Sequence, residues 1–193
     1  NNKAAEEVTD AVTGATLADT AGYIKAVLEA AKQAEGTTSV EFAGNLEDLK
    51  LSQVYAAAHG TKAFAVVSAL TDNDKVVLSY IDEYQFMAAD GTTGVANSTE
   101  GLADNVVEGK VLASKRQNSD AYSATMAEKA GSTVKFADNL NAIQEFVDGK
   151  TVAELEEVTA KTNEEVTDAV TGATLADTAG YINGVIQAAK SAQ

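Results

Sequence analysis

The 193 residues are 45% apolar but only 6% aromatic, with no Trp, so they suffice for one or two domains whose core is built from Val, Leu, Ile and Ala. A formal charge of −15 argues against nucleic acid or an anionic membrane surface as partner. The absence of cysteine excludes disulfides, thiolate metal sites, iron–sulfur clusters and cysteine nucleophiles, and the absence of proline leaves every turn to Gly, Asn, Asp or Ser.

Residues 1–9 are polar and acidic. Residues 6–24 then recur without change as residues 164–182, the nineteen-residue string EEVTDAVTGATLADTAGYI. Inside each copy lies the heptapeptide DAVTGAT, which comprises Asp10, Thr13, Gly14, Ala15 and Thr16 in the first and Asp168, Thr171, Gly172, Ala173 and Thr174 in the second. Leu17, Ala21, Ile24, Leu28 and Ala31 follow at spacings of four and three, one face of a helix that Thr16 opens. Thr16 with Asp19 has the form of a capping box. Gly36–Ser39 reads as a linker.

From Val40 the pattern changes to strands. Residues 51–59, 62–71 and 75–87 are rich in β-branched and aromatic residues, and residues 59–61 and 72–74 carry turn chemistry, which predicts an antiparallel meander. Residues 88–110 read as a long loop holding at most a short strand or helix. The last third is helical: residues 120–130, residues 138–147 with Leu140, Ile143 and Val147 on one face, and a capping-box start at Thr151 with Glu154. The second copy closes the chain with Leu175, Ala179, Ile182, Ile186 and Ala189 on one helical face. Strands followed by helices predict an α+β domain, an antiparallel sheet with helices on one side.

The copies are a domain length apart. The economical account is tandem domains, each ending in this motif and helix: residues 37–193 form a complete unit and residues 1–36 the tail of a preceding one. The first helix then has to pack on another surface or another molecule.

Taken physically, the heptapeptide sets a hydroxyl before a helix. Gly14 and Gly172 permit backbone angles closed to other residues, and the free N–H groups of a first helical turn favour a phosphate. A plain helix cap is the competing reading. DAVTGAT resembles the flavinylation signature of covalent FMN-binding domains, D-x-x-[S/T]-G-A-[S/T]. On that resemblance, Asp10 and Asp168 are the leading acids, Thr13 and Thr171 the small hydroxyls, Gly14-Ala15 and Gly172-Ala173 the turns, and Thr16 and Thr174 the acceptors. Where flavoproteins of the membrane sodium- and electron-pumping complexes continue with a hydroxyl residue two positions on, this chain has Ala18 and Ala176.

The pattern H-G-x-x-A-F and residues 115–126 (KRQNSDAYSATM) are similar to the flavinylated lipoproteins of Gram-positive flavin-based extracellular electron transfer. The resemblance implies an FMN-binding-domain-like fold and up to two FMN groups, attached as phosphoesters by an FMN transferase. It implies an electron carrier rather than an enzyme, extracytosolic, at the cell surface and lipid-anchored through a segment that this sequence does not contain. Electrons would pass from a membrane NADH- or quinone-linked donor to acceptors such as free flavin or ferric iron. A cell-surface structural or binding repeat, in which TGAT only starts a helix, and a flavin-dependent reductase are the alternatives.

His59, the sole histidine, reads as a turn residue or a flavin contact. Lys115-Arg116 reads as solvated surface ahead of a contact to a flavin carbonyl or phosphate, Tyr122 and Met126 as core packing ahead of an isoalloxazine wall, and Asp19 and Asp177 as helix caps rather than cofactor contacts. Asp82 and Glu83, adjacent in a strand, point to opposite faces and form no acid pair. No metal-ligand spacing and no nucleophile–His–acid set is legible.

Overall fold

The three β-branched and aromatic stretches fold as the expected meander. The structure, a computed structural model, describes residues 5–34, 39–100, 102 and 107–192; the linker at Gly36–Ser39 falls mostly outside them. Strands β1 (Leu49–Ala56), β2 (Ala63–Asp72), β3 (Lys75–Ala88) and β4 (Lys110–Ser114) form one antiparallel sheet in the order β1-β2-β3-β4. Asn73 (φ 54°) and Gly60 (φ 56°) take left-handed backbone at the two tight connections, where their small or absent side chains tolerate it. β4 had no separate signal in the sequence: Lys110–Ser114 is five residues and pairs only with the far end of β3.

Seven α-helices occur among the described residues. Helices α1 (Ala5–Asp10) and α2 (Thr20–Ala34) precede the sheet; α3 (Ser119–Ala130), α4 (Phe136–Val147), α5 (Val152–Thr159), α6 (Asn163–Ala169) and α7 (Thr178–Ser191) follow it. The expected capping box at Thr151 forms, with reciprocal bonds between Thr151 and Glu154. A second box, Thr162 with Glu165, starts α6, a short helix that runs directly into the motif.

The chain divides into two compact units, Asn1–Glu41 and Phe42–Gln193. In the second, α7 lies on β1 and β2, α4 lies on β3, and α5 packs on α7, so the helices cover one face of the sheet. Ala65, Val67, Ala69 and Ile81 meet Leu140, Ile143, Ile182 and Val185 there, all buried. Burying each large aliphatic side chain contributes about 1.5–3 kcal/mol. Leu51, Tyr55 and Tyr80 alternate onto the opposite, exposed face. The fold class is α+β, with the helices on one side as read from the sequence. In the first unit, α1 and α2 pair with each other, and α2 buries only Thr20 among its own residues.

Candidate functional site

Both copies of the heptapeptide adopt the same turn. In the second, Val170 N–H donates to Thr167 O (3.1 Å), Ala173 N–H to Val170 O (3.0 Å), and Thr178 N–H to Leu175 O (3.0 Å). In the first, Val12, Ala15 and Thr20 donate to Thr9, Val12 and Leu17 at 3.0, 3.0 and 3.1 Å. The hydroxyl that precedes each motif bonds across the turn, Thr167 to Leu175 O (3.1 Å) and Thr9 to Leu17 O (3.3 Å). Gly172 (φ 91°) and Gly14 (φ 86°) provide the left-handed residue that the turn requires. The geometry is therefore written into the local sequence and does not depend on the surroundings.

That turn corrects the expected helix start. Helices α2 and α7 begin at Thr20 and Thr178, four residues later than Thr16 and Thr174. Thr20 and Thr178, the first helical residues, instead donate their hydroxyls back to the carbonyls of Leu17 and Leu175 at 2.6 Å, and no Thr16–Asp19 box forms. Three of the first-turn N–H groups of α7 are also engaged, since those of Thr178, Gly180 and Tyr181 donate to Leu175 and Asp177 carbonyls. Asp177 occupies the N-cap position of α7 but makes no cap bond; its carboxylate instead lies 2.5 Å from His59 Nδ1.

Thr174 is exposed and positioned from below. Its N–H donates to Asn139 Oδ1 (2.6 Å), and its hydroxyl lies 3.3 Å from the same oxygen. Asn139 is fully buried in α4 and is anchored through Nδ2 to the Val134 and Lys135 carbonyls. The sequence reading passed over it, although a polar residue on the apolar stripe of Phe136, Leu140, Ile143 and Val147 was a legible signal.

Directly after Thr174, Leu175-Ala176-Asp177 form one wall of a cavity of about 190 Å³. Its other walls include His59, Lys115, Tyr122, Met126, Phe136 and Tyr181. A shallower recess of about 330 Å³ shares His59 and Tyr122 and adds Gly60, Thr61, Lys62 and Gln85. Residues scattered through the sequence thus meet beside the second motif. Tyr122 and Met126 pack against the core, as expected, and also line this cavity.

Lys115 is not solvated surface. It is fully buried, paired with Glu83, and its ammonium sits 4.7 Å from the Tyr122 ring centre and 5.5 Å from that of Phe136. The reason is a partner that composition does not reveal: β3 turns Glu83 inward, and a buried carboxylate requires a cation. Asp82 takes the opposite face, where Ser114 donates to it at 2.7 Å, so the two acids are separated as read. Arg116 is likewise engaged, with Asn141 (2.7 Å) and Gln144 (2.6 Å). Glu83 keeps one oxygen without a partner among the described residues. Burial, and next the Glu83 charge, push the Tyr181 phenol well above its ordinary range.

The remaining site residues stay outside the cavity wall. Asp168, Thr171 and Gly172 are exposed, while Ala173 is buried under the turn. In the first copy Asp10, Thr13, Gly14 and Thr16 are exposed and Ala15 is half-buried. Among the described residues no three potential metal ligands gather, and no helix is long and apolar enough to cross a membrane. No protein-family model matches the chain, and no curated protein is significantly similar to it.

Proposed function

We propose that the protein is an extracytosolic electron carrier that holds FMN as phosphoesters on Thr174 and Thr16. The observation that carries this reading is the repeated DAVTGAT turn, which leaves its last threonine exposed in both copies and, in the second, sets it beside a cavity walled by aromatic rings. The residues present fit a flavin. Tyr122 and Met126, half-buried in that wall above Phe136 and Tyr181, offer polarizable surface for a ring system. His59 puts its second ring nitrogen in the same wall, suited to a ring carbonyl, and Thr174 is close enough in sequence to tether the phosphate end.

When bound, FMN supplies one- and two-electron chemistry, and the protein supplies binding, orientation and electrostatics. Asn139 holds the Thr174 backbone, Asp177 holds His59, and the buried Lys115–Glu83 pair sets the charge under the cavity. Each attachment, made by a separate transferase, would form a threonine Oγ–P bond as the pyrophosphate bond of a flavin dinucleotide donor breaks, the nucleoside monophosphate leaving and the hydroxyl proton passing to solvent. The donor would be a membrane NADH- or quinone-linked dehydrogenase, and the acceptors free flavin or ferric iron. In the same reading a lipid anchor keeps the carrier at the cell surface, and residues 1–36 belong to a preceding FMN-binding unit.

Coexpression with an FMN transferase tests this directly. Intact mass should rise by one FMN less water per site, with Thr174→Ala and Thr16→Ala each removing one equivalent. A chain that gains no mass, or keeps its flavin count in either variant, refutes the corresponding site. Failure at both leaves the structural repeat as the better account.

A further inference from the structure

Helix α2 repeats α7 beyond the shared nineteen residues, and it repeats the buried face. In α7, Ala179, Ile182, Val185, Ile186 and Ala189 are buried, seated with the sheet. The corresponding residues of α2 are Ala21, Ile24, Val27, Leu28 and Ala31. Where the helices differ by more than a methyl rearrangement or a glycine, at Lys25, Glu29 and Gln33 against Asn183, Gln187 and Ser191, the α7 position is exposed. Yet Ile24, Val27 and Leu28 are 46%, 71% and 52% exposed.

Gly22 is the sharpest mark. A glycine inside a helix costs about 1 kcal/mol relative to alanine. In α7 the cost has a reason: a Cβ on Gly180 would overlap the Ala58 carbonyl oxygen, so only glycine lets the helix lie against the chain end of β1. In α2 a Cβ on Gly22 would meet nothing within 4 Å. Among the described residues nothing around α2 uses this glycine, whereas a backbone laid across it as Ala58 is laid across Gly180 would.

We propose that α2 is a closing helix for a second antiparallel sheet of this architecture, docking its bare face in the seat that α7 fills on β1 and β2. The partner is a copy of this fold whose seat is open. In an intact copy the tethered α7 holds the seat at high effective concentration, so intact copies stay unlinked. Ala26 tunes the fit. It stands where α7 has Gly184, whose added Cβ would come 3.1 Å from Val67 Cγ2 and 3.3 Å from Ala56 Cβ, so α2 seats slightly looser on this sheet.

The test uses two full-length chains, each carrying a single introduced thiol in a protein that has no cysteine. The acceptor carries Gly180→Leu and Gly22→Leu, which disable both of its own helices, and Ser52→Cys. Ser52 bonds the Ala188 carbonyl in the seat. The donor carries only Ala30→Cys, at the position matching Ala188. The chains are co-refolded and treated with a short bismaleimide. The expected product is an acceptor–donor dimer, whose yield falls by about tenfold when the donor also carries Gly22→Leu and rises with Ala26→Gly. Leucine at position 22 makes the face more apolar, so an unchanged or higher yield means unspecific adhesion and overturns the proposal. If the acceptor does not fold alone, stoichiometric recovery of its helical circular dichroism by the donor supports docking, and no recovery overturns it.

Discussion

Asn139 and Lys115 are the residues on which the site turns, and neither belongs to the motif. Asn139→Ala leaves the Thr174 N–H without its acceptor, a loss of about 1–3 kcal/mol in unfolding free energy. It should also slow flavin loading at Thr174 while leaving Thr16, which has no such support among the described residues, unchanged. Site-resolved peptide mass over a loading time course reads this, and equal slowing at both sites would remove the positioning role. Lys115→Met strands the Glu83 carboxylate in the core, at a cost of about 3–5 kcal/mol by urea unfolding. Adding Glu83→Gln should recover most of that loss; if the double variant is as unstable as the single, the ion pair is not the cause. The motif acids and hydroxyls were legible as a string. Their support was not, because Asn139 and Thr174 are distant in the chain and meet only when α4 packs beside the turn.

At the level of elements, local chemistry was read well where it is self-contained. The Thr151 box and the stripe of α4 appear as expected. The start of α7 does not, because a string with a helical apolar period is held instead by turn bonds until Thr178. The C-terminal end of α4 carries a pH-dependent feature of its own. Asp148 accepts a bond from Ser79 (2.7 Å), yet burial raises its carboxyl from an ordinary value near 3.8 to about 6. The folded state therefore binds this proton more tightly than the unfolded state. The resulting stabilisation is complete below about pH 4 and is lost as pH rises through about 6. Discounted for partial solvent exposure, the difference is about 1 kcal/mol. Asp148→Asn should raise stability by that amount at pH 7 and leave it unchanged at pH 4, in denaturation curves at the two values. A gain of equal size at both pH values would assign the effect to something other than this proton.

For the whole molecule, the duplicated string is a natural control, since one sequence is read in two environments. Val12, Tyr23 and Ile24 are 38%, 63% and 46% exposed, whereas Val170, Tyr181 and Ile182 are 2%, 2% and 0% exposed. Ile182→Ala should therefore cost about 2–5 kcal/mol and Ile24→Ala less than about 0.5 kcal/mol in the same urea experiment. Comparable losses would mean that the first helix is buried against something in solution.

The sequence by itself determined what depends on neighbours along the chain: the meander, the helix stripes, the capping box at Thr151, and a turn that closes the same way twice. Each rests on bonds spanning at most a few residues or on alternation along one strand. Only the tertiary structure decided which side chains wall the cavity beside Thr174, that Lys115 is core rather than surface, and that His59 and Asp177 pair across the fold. Those outcomes depend on contacts between distant segments, which burial and charge pairing select and which no local spacing encodes. The identical nineteen residues make the division plain: they determine the turn, while the segments packed around the second copy determine that it borders a cavity.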